Sequence, residues 1–133
     1  MTGETDIDII LHALSPTLLD DSYVFCTVSD GVYGDYITTQ PIASFQEAEG
    51  LTLVITQDRA DAHGLAYEGL FRCISLQIHS SLEAIGLTAL ISAKLAAAGI
   101  SANMIAGYYH DHVFVPQSRA TDALDILNNN NTL

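Results

Sequence analysis

An α+β fold, with strands and helices interspersed along one chain, is what this sequence predicts, and three observations predict it. Residues 71–79 alternate with a period of two. Cys73, Ser75, Gln77 and His79 face one side and Ile74, Leu76 and Ile78 the other, the mark of a half-buried strand. Leu87, Leu90, Ile91, Leu95 and Ala98 then recur at the spacing of one helical stripe. Two extended runs, 103–109 and 112–115, lie too close together for any connection but a hairpin.

The remaining elements follow in chain order. Residues 8–14 read as a short helix closed by Ser15-Pro16, and residues 22–28, rich in β-branched and aromatic side chains, as a strand. A turn-rich loop spans 29–35. Strands are expected at 42–46 and 51–56, joined by a tight reversal at Glu47-Ala48-Glu49-Gly50 in which Gly50 supplies the left-handed residue. Asp58 is placed to cap a short helix that ends near Gly64. In the second half, Gly99 is expected to close the helix, and Ile100 to begin the next extended run. Ser118 or Thr121 opens a last helix that turns Ala123, Leu124 and Leu127 inward, and residues 128–131 form a polar tail.

The second half thus reads strand, helix, strand, strand, helix, a ferredoxin-like unit that stops one strand short. The first half, helix, strand, strand, strand, helix, has one strand to spare. The expectation is two interlocked ferredoxin-like subdomains, 1–69 and 70–133, sharing an antiparallel sheet with helices on one face.

Composition limits what such a fold could do. Of 133 residues, 49% are hydrophobic and 15% charged, so the chain is apolar enough to bury a sizeable core. Sixteen carboxylates face only Arg59, Arg72, Lys94 and Arg119, giving a net charge of −12. Four scattered cations cannot track a phosphate backbone, so neither nucleic acid nor an anionic membrane is an expected partner. No apolar run approaches the roughly 20 residues that cross a bilayer, and the first residues are acidic, where a signal peptide is basic. A cytoplasmic protein is expected. Cys26 and Cys73 stand alone in apolar runs, which favours small buried hydrophobes over a zinc or redox motif.

The joint from Ile78 to Leu87 resembles the first strand-to-helix loop of ACT domains. In that family a Gly-hydrophobic pair opens the helix and a Gly-Ile pair precedes the second strand. Gly86-Leu87 and Gly99-Ile100-Ser101-Ala102-Asn103 match both. The loop is a few residues longer than the commonest ACT pattern. Residues 108–116, Tyr-Tyr-His-Asp-His-Val-Phe-Val-Pro, are similar to the hairpin of small bacterial tandem ACT proteins, and residues 45–54 to the other half of those proteins. The resemblance covers nearly the whole chain. It implies a regulatory module that binds an amino acid or similar small molecule, pairs as a homodimer, carries no cofactor and is not an enzyme.

Three clusters offer chemistry. The loop Ser80-Ser81-Leu82-Glu83-Ala84-Ile85-Gly86, with Leu87, leads into a helix N-terminus, whose unpaired amides suit a carboxylate. The same Ser80-to-Glu83 spacing also fits a purely local capping box. Asn103 would lie beside this loop if the ACT alignment holds. In His110-Asp111-His112 the two imidazoles project to one face, and His79 could add a third nitrogen to a metal site. Solvated turn residues are the plainer reading, and Asp111 is then the better acceptor for a ligand's ammonium group. Glu47 and Glu49 share a side if extended, and Glu49 is a second candidate for the ammonium group. A metal-dependent enzyme built on His79, His110 and His112, or a structural interaction module without a ligand, are the alternative functions.

Overall fold

The computed structural model describes residues 14–77 and 87–128. They form β1 (Thr17–Ser29), β2 (Ala43–Glu47), β3 (Gly50–Thr56), α1 (Gln57–Ala62), β4 (Phe71–Gln77), α2 (Leu87–Ala97), β5 (Asn103–Ala106), β6 (His110–Pro116) and α3 (Ala120–Leu127). All of the predicted helix at 8–14 but Leu14, the loop at 78–86 and the end of the polar tail lie outside the described residues. The chain divides into two compact units. One takes the chain through Asp20 together with everything from Arg72; the other is Asp21–Phe71. β1 runs through both, with Thr17–Asp20 in the first unit and the rest in the second.

In the first unit the hydrogen-bonded strand order is β1-β4-β6-β5, and β5 pairs antiparallel with β6. Ile74 and Leu76 of β4, Ile91 and Leu95 of α2, Val113 and Val115 of β6, and Ala123 and Leu127 of α3 form its core, joined by Leu14. The N-terminal residues are stitched in by backbone as well as by packing. The Gln77 N–H donates to the Leu14 carbonyl at 2.6 Å, and Arg72 donates to the Leu19 carbonyl through Nε at 3.2 Å and Nη2 at 2.6 Å. The helical stripe predicted for 87–98 is the face that packs, with Ile91 and Leu95 fully buried. Gly99, at φ +75, lets the chain turn so that the Ile100 N–H reaches the Leu95 carbonyl at 2.9 Å, the helix stop that its position predicts.

Two expectations in this unit change. The hairpin turn is Gly107-Tyr108-Tyr109, closed by the Gly107 N–H on the His110 carbonyl at 2.8 Å. His110, Asp111 and His112 are therefore strand residues of β6, not turn residues, and Ala106 stands opposite Asp111. The last helix begins at neither Ser118 nor Thr121. A 3₁₀ turn at Gln117–Arg119 leads into α3, and Arg119 occupies the cap position, pairing through Nε with Asp122 at 3.1 Å and donating from Nη2 to the Ala98 carbonyl at 3.2 Å.

In the second unit the strand order is β2-β3-β1, antiparallel throughout, with Tyr23 opposite Thr56 and Ser29 opposite Gly50. Val24, Cys26, Leu51, Leu53 and Ile55 pack with Ala60 of α1. The β2–β3 reversal falls at Ala48-Glu49. Gly50 takes the glycine-favouring positive φ that its place after the reversal predicts, +151, and meets a second need besides, since a Cβ there would lie 2.2 Å from the Val28 carbonyl oxygen. Thr56, rather than Asp58, caps α1, its hydroxyl accepting from the Arg59 N–H at 3.4 Å; Asp58 sits in the first turn. Gly64, at φ +67, ends the helix as expected. Gln46 ties down the loop after β1, its Nε2 donating to the Gly31 carbonyl at 2.9 Å and its Oε1 accepting from the Tyr33 N–H at 2.8 Å. Both cysteines are buried and unpaired, and burial pushes the Cys73 thiol up to about 12, so they pack as apolar residues.

Candidate functional site

Of the predicted ligand-binding residues, Ser80, Ser81, Leu82, Glu83 and Gly86 lie outside the described residues, as does His79. Leu87 is the first residue of α2 and packs half-buried against the first unit's core. Asn103 opens β5 opposite Phe114, its side-chain amide 3.5 Å from the Phe114 carbonyl oxygen. Asp111 lies on β6 near the hairpin end. Leu87, Asn103 and Asp111 thus belong to one unit, with Asn103 and Asp111 on paired strands at different positions along the ladder. Glu49 is an exposed turn residue of the other unit, and its carbonyl accepts from the Asp30 N–H at 3.3 Å. Glu47 is engaged locally by the Thr52 hydroxyl.

The electrostatics at Asp111 and His112 follow from partial burial. Desolvation raises the Asp111 carboxyl above its usual range, while the neighbouring His112 pulls it down. Burial lowers the His112 imidazole below its usual value; His110 adds to this and Asp111 opposes it. The two rings stand 6.4 Å apart, centroid to centroid, on one side of β6, as the alternation predicts. His112 presses against the hairpin turn, its Nε2 3.4 Å from where a Gly107 side chain would begin, and its enclosed Nδ1 has no hydrogen-bond partner among the described residues. No group of three metal-ligating side chains forms among the described residues.

The hairpin turn presents Tyr108 and Tyr109 to solvent, edge to face at 5.0 Å. In the second unit a cavity of about 580 Å³ is lined by Asp21, Tyr23, Gln40, Ile42, Thr56, Asp58 and Arg59. Spacing along the chain does not mark these as a group, because strand register and the loop before β2 bring them together. No described helix is long and apolar enough to cross a membrane.

An ACT-domain family model matches residues 2–72, and a second ACT-domain model matches residues 70–129. The chain is similar to a solved Vibrio cholerae protein of unknown function, described as a possible transport protein. The two are 48% identical over 96% of this chain and 98% of that one, with a TM-score of 0.84. An Agrobacterium tumefaciens protein is 18% identical over 86% of each chain, with a TM-score of 0.68. The ligand-free regulatory subunit of aspartate kinase from Thermus thermophilus shares the fold at 12% identity, over 88% of this chain and 97% of that one, with a TM-score of 0.63. No curated protein matches the sequence. With two ACT models in tandem along nearly its whole length and strand, helix and hairpin in the order that family requires, the chain belongs to the ACT-domain family.

Proposed function

We propose that this protein is a cytoplasmic, non-catalytic regulatory module that binds a small amino acid and works as a homodimer. The tandem of two ACT matches is the observation that carries the reading. The regulatory subunit of aspartate kinase, matched over 97% of its chain, supports it, because in that neighbour the same fold makes up a regulatory subunit. The ligand carboxylate would meet the amides of Ser80 to Leu87, beside Asn103, and its ammonium group would meet Asp111, with Glu49 as the alternative acceptor. Partial burial of Asp111 suits this role, since a half-desolvated carboxylate gains more from an arriving cation than one in open water.

A thermal-shift screen over the amino acids tests the proposal. A ligand that binds only the folded state at about 100 times its Kd adds roughly 2.7 kcal/mol, which raises Tm by about 10 °C in a domain of this size. One amino acid is expected to give such a shift, and Asp111→Ala to diminish it. A complete panel without a shift at millimolar concentration would sink the reading.

A further inference from the structure

We infer that the outer edge of β2 docks a partner protein, which adds an extended segment whose apolar side chains alternate with Lys or Arg. β2 ends its strand order, so along its outer edge alternate backbone N–H and C=O groups meet no strand among the described residues. Natural sheets commonly guard such an edge with Lys or Pro. Ala43-Ser44-Phe45-Gln46-Glu47 has neither, and Phe45 stands 71% exposed on it. Of the eight exposed large apolar side chains among the described residues, six fall within residues 32–45. Apolar exposure gathered in one stretch, rather than scattered singly, marks an interaction surface.

The two faces of β2 offer different things to an added strand. On one face Ser44 stands opposite Leu53, and both line a cavity of about 410 Å³. The buried Leu51 and Leu53 form its apolar base, and Tyr33, Ile37 and Pro41 contribute from the loop before β2. Phe45 and Glu47 alternate to the other face, where the Thr52 hydroxyl, on the same side, donates to Glu47. Strand addition draws affinity from main-chain hydrogen bonds and specificity from what alternate side chains meet. Here one set of side chains meets an apolar cavity, and the other meets an aromatic ring beside a carboxylate. Apolar residues suit the first and Lys or Arg the second, since a cation pairs with Glu47 and stacks on Phe45.

Charge decides between a foreign segment and a second copy of this chain. From Asp21 to Phe71 eight carboxylates face the single Arg59, whose Nη1 donates to the Thr39 carbonyl at 3.3 Å. β2 itself carries Glu47 and no cation, and Asp35 adds a carboxylate to the cavity wall. Pairing β2 with its own copy would set two acidic units side by side, whereas a basic segment is drawn in by the same field. This edge shares no residue with the amino-acid site proposed above.

Fluorescence anisotropy with three labelled heptapeptides tests the inference. The first is Lys-Val-Lys-Val-Lys-Val-Lys, the second replaces every Lys by Glu, and the third keeps the first composition in the block order Lys-Lys-Val-Val-Val-Lys-Lys. The first is expected to bind saturably below about 1 mM, with the other two at least about tenfold weaker. Phe45→Lys, which sets a cation at an exposed edge position, should weaken the first peptide by about tenfold, and Glu47→Gln by about threefold. Circular dichroism confirms that each variant is folded, and Glu47→Gln carries the test if Phe45→Lys is not. No saturable binding of the first peptide overturns the inference. Equal binding of the acidic or block peptide does so too, as does full affinity in both folded variants. If Phe45→Lys instead turns a dimer into a monomer by light scattering, and the first peptide fails to bind wild type, a second copy occupies the edge and the foreign partner is refuted.

Discussion

A Cβ at Gly50 would sit 2.2 Å from the Val28 carbonyl oxygen at φ +151, whereas one at Gly34, φ +103, would meet nothing within 4 Å. Gly50→Ala must push two paired strands apart, so it should cost roughly 2–4 kcal/mol, and Gly34→Ala, with backbone strain alone, about 1 kcal/mol. Urea midpoints of the two variants measure the difference, and equal losses would contradict the close approach of β3 to β1. His112 offers a second test at this scale. Burial lowers its folded pKa below the unfolded value of about 6.5, so the unfolded chain binds the proton more readily. The stability it contributes is present above pH 6.5 or so and falls as pH drops through that value toward the folded pKa. Asp111 has the opposite sign. Its folded pKa is raised, so its contribution falls as pH rises from the unfolded value through the folded one. Wild type should therefore lose Tm between about pH 6.5 and 5 more steeply than His112→Gln. Identical slopes would show that His112 is not desolvated.

Among elements, those announced by periodicity proved legible, and those decided by competition between neighbours did not. The stripe from Leu87 to Ala98 and the stop at Gly99 could be read directly, because burial of one face and a positive φ leave few alternatives. The start of α1 could not. Asp58 and Thr56 are both good caps, and the choice fell to Thr56 because β3 delivers the chain there in extended conformation, φ −68 and ψ 150. Thr56→Ala is expected to cost about 1 kcal/mol and Asp58→Ala much less, a comparison of thermal midpoints that reverses if Asp58 is the working cap. β1 begins earlier than its apolar run because Leu19 gains a partner from Arg72, far away in sequence. The β5–β6 turn shifted toward Gly107 because, of the residues available, only glycine tolerates the His110 carbonyl 2.7 Å from its Cβ position. Those two shifts explain why the candidate site was only partly legible. Moving the turn takes Asp111 from a bend to a strand, and no spacing rule connects Asp21, Gln40 and Arg59.

At the scale of the whole chain, the two stretches matched by the family models and the two compact units are cut differently. The matches meet near residue 70, but Leu14 and Leu18 pack into the core made by β4, β6, α2 and α3. The Leu14 carbonyl also takes the Gln77 N–H, and the Leu19 carbonyl takes two donors from Arg72. A fragment of residues 70–133 would keep both helices of that unit but lose these residues. It would open the core that Leu14 and Leu18 help to close, and leave the Arg72 guanidinium without the Leu19 carbonyl. Losing two packed leucines costs several kcal/mol, a large part of the roughly 5–15 kcal/mol that holds a domain together. The fragment is expected to lack the dispersed amide resonances and cooperative melting of the intact protein. Adding residues 1–69 as a separate chain should restore both, because it returns the segment from Leu14 to Asp20. A fragment extended to include residues 14–20 through a short flexible linker should fold with less help. If residues 70–133 alone melt cooperatively near the Tm of the whole protein, the N-terminal segment is not part of that core.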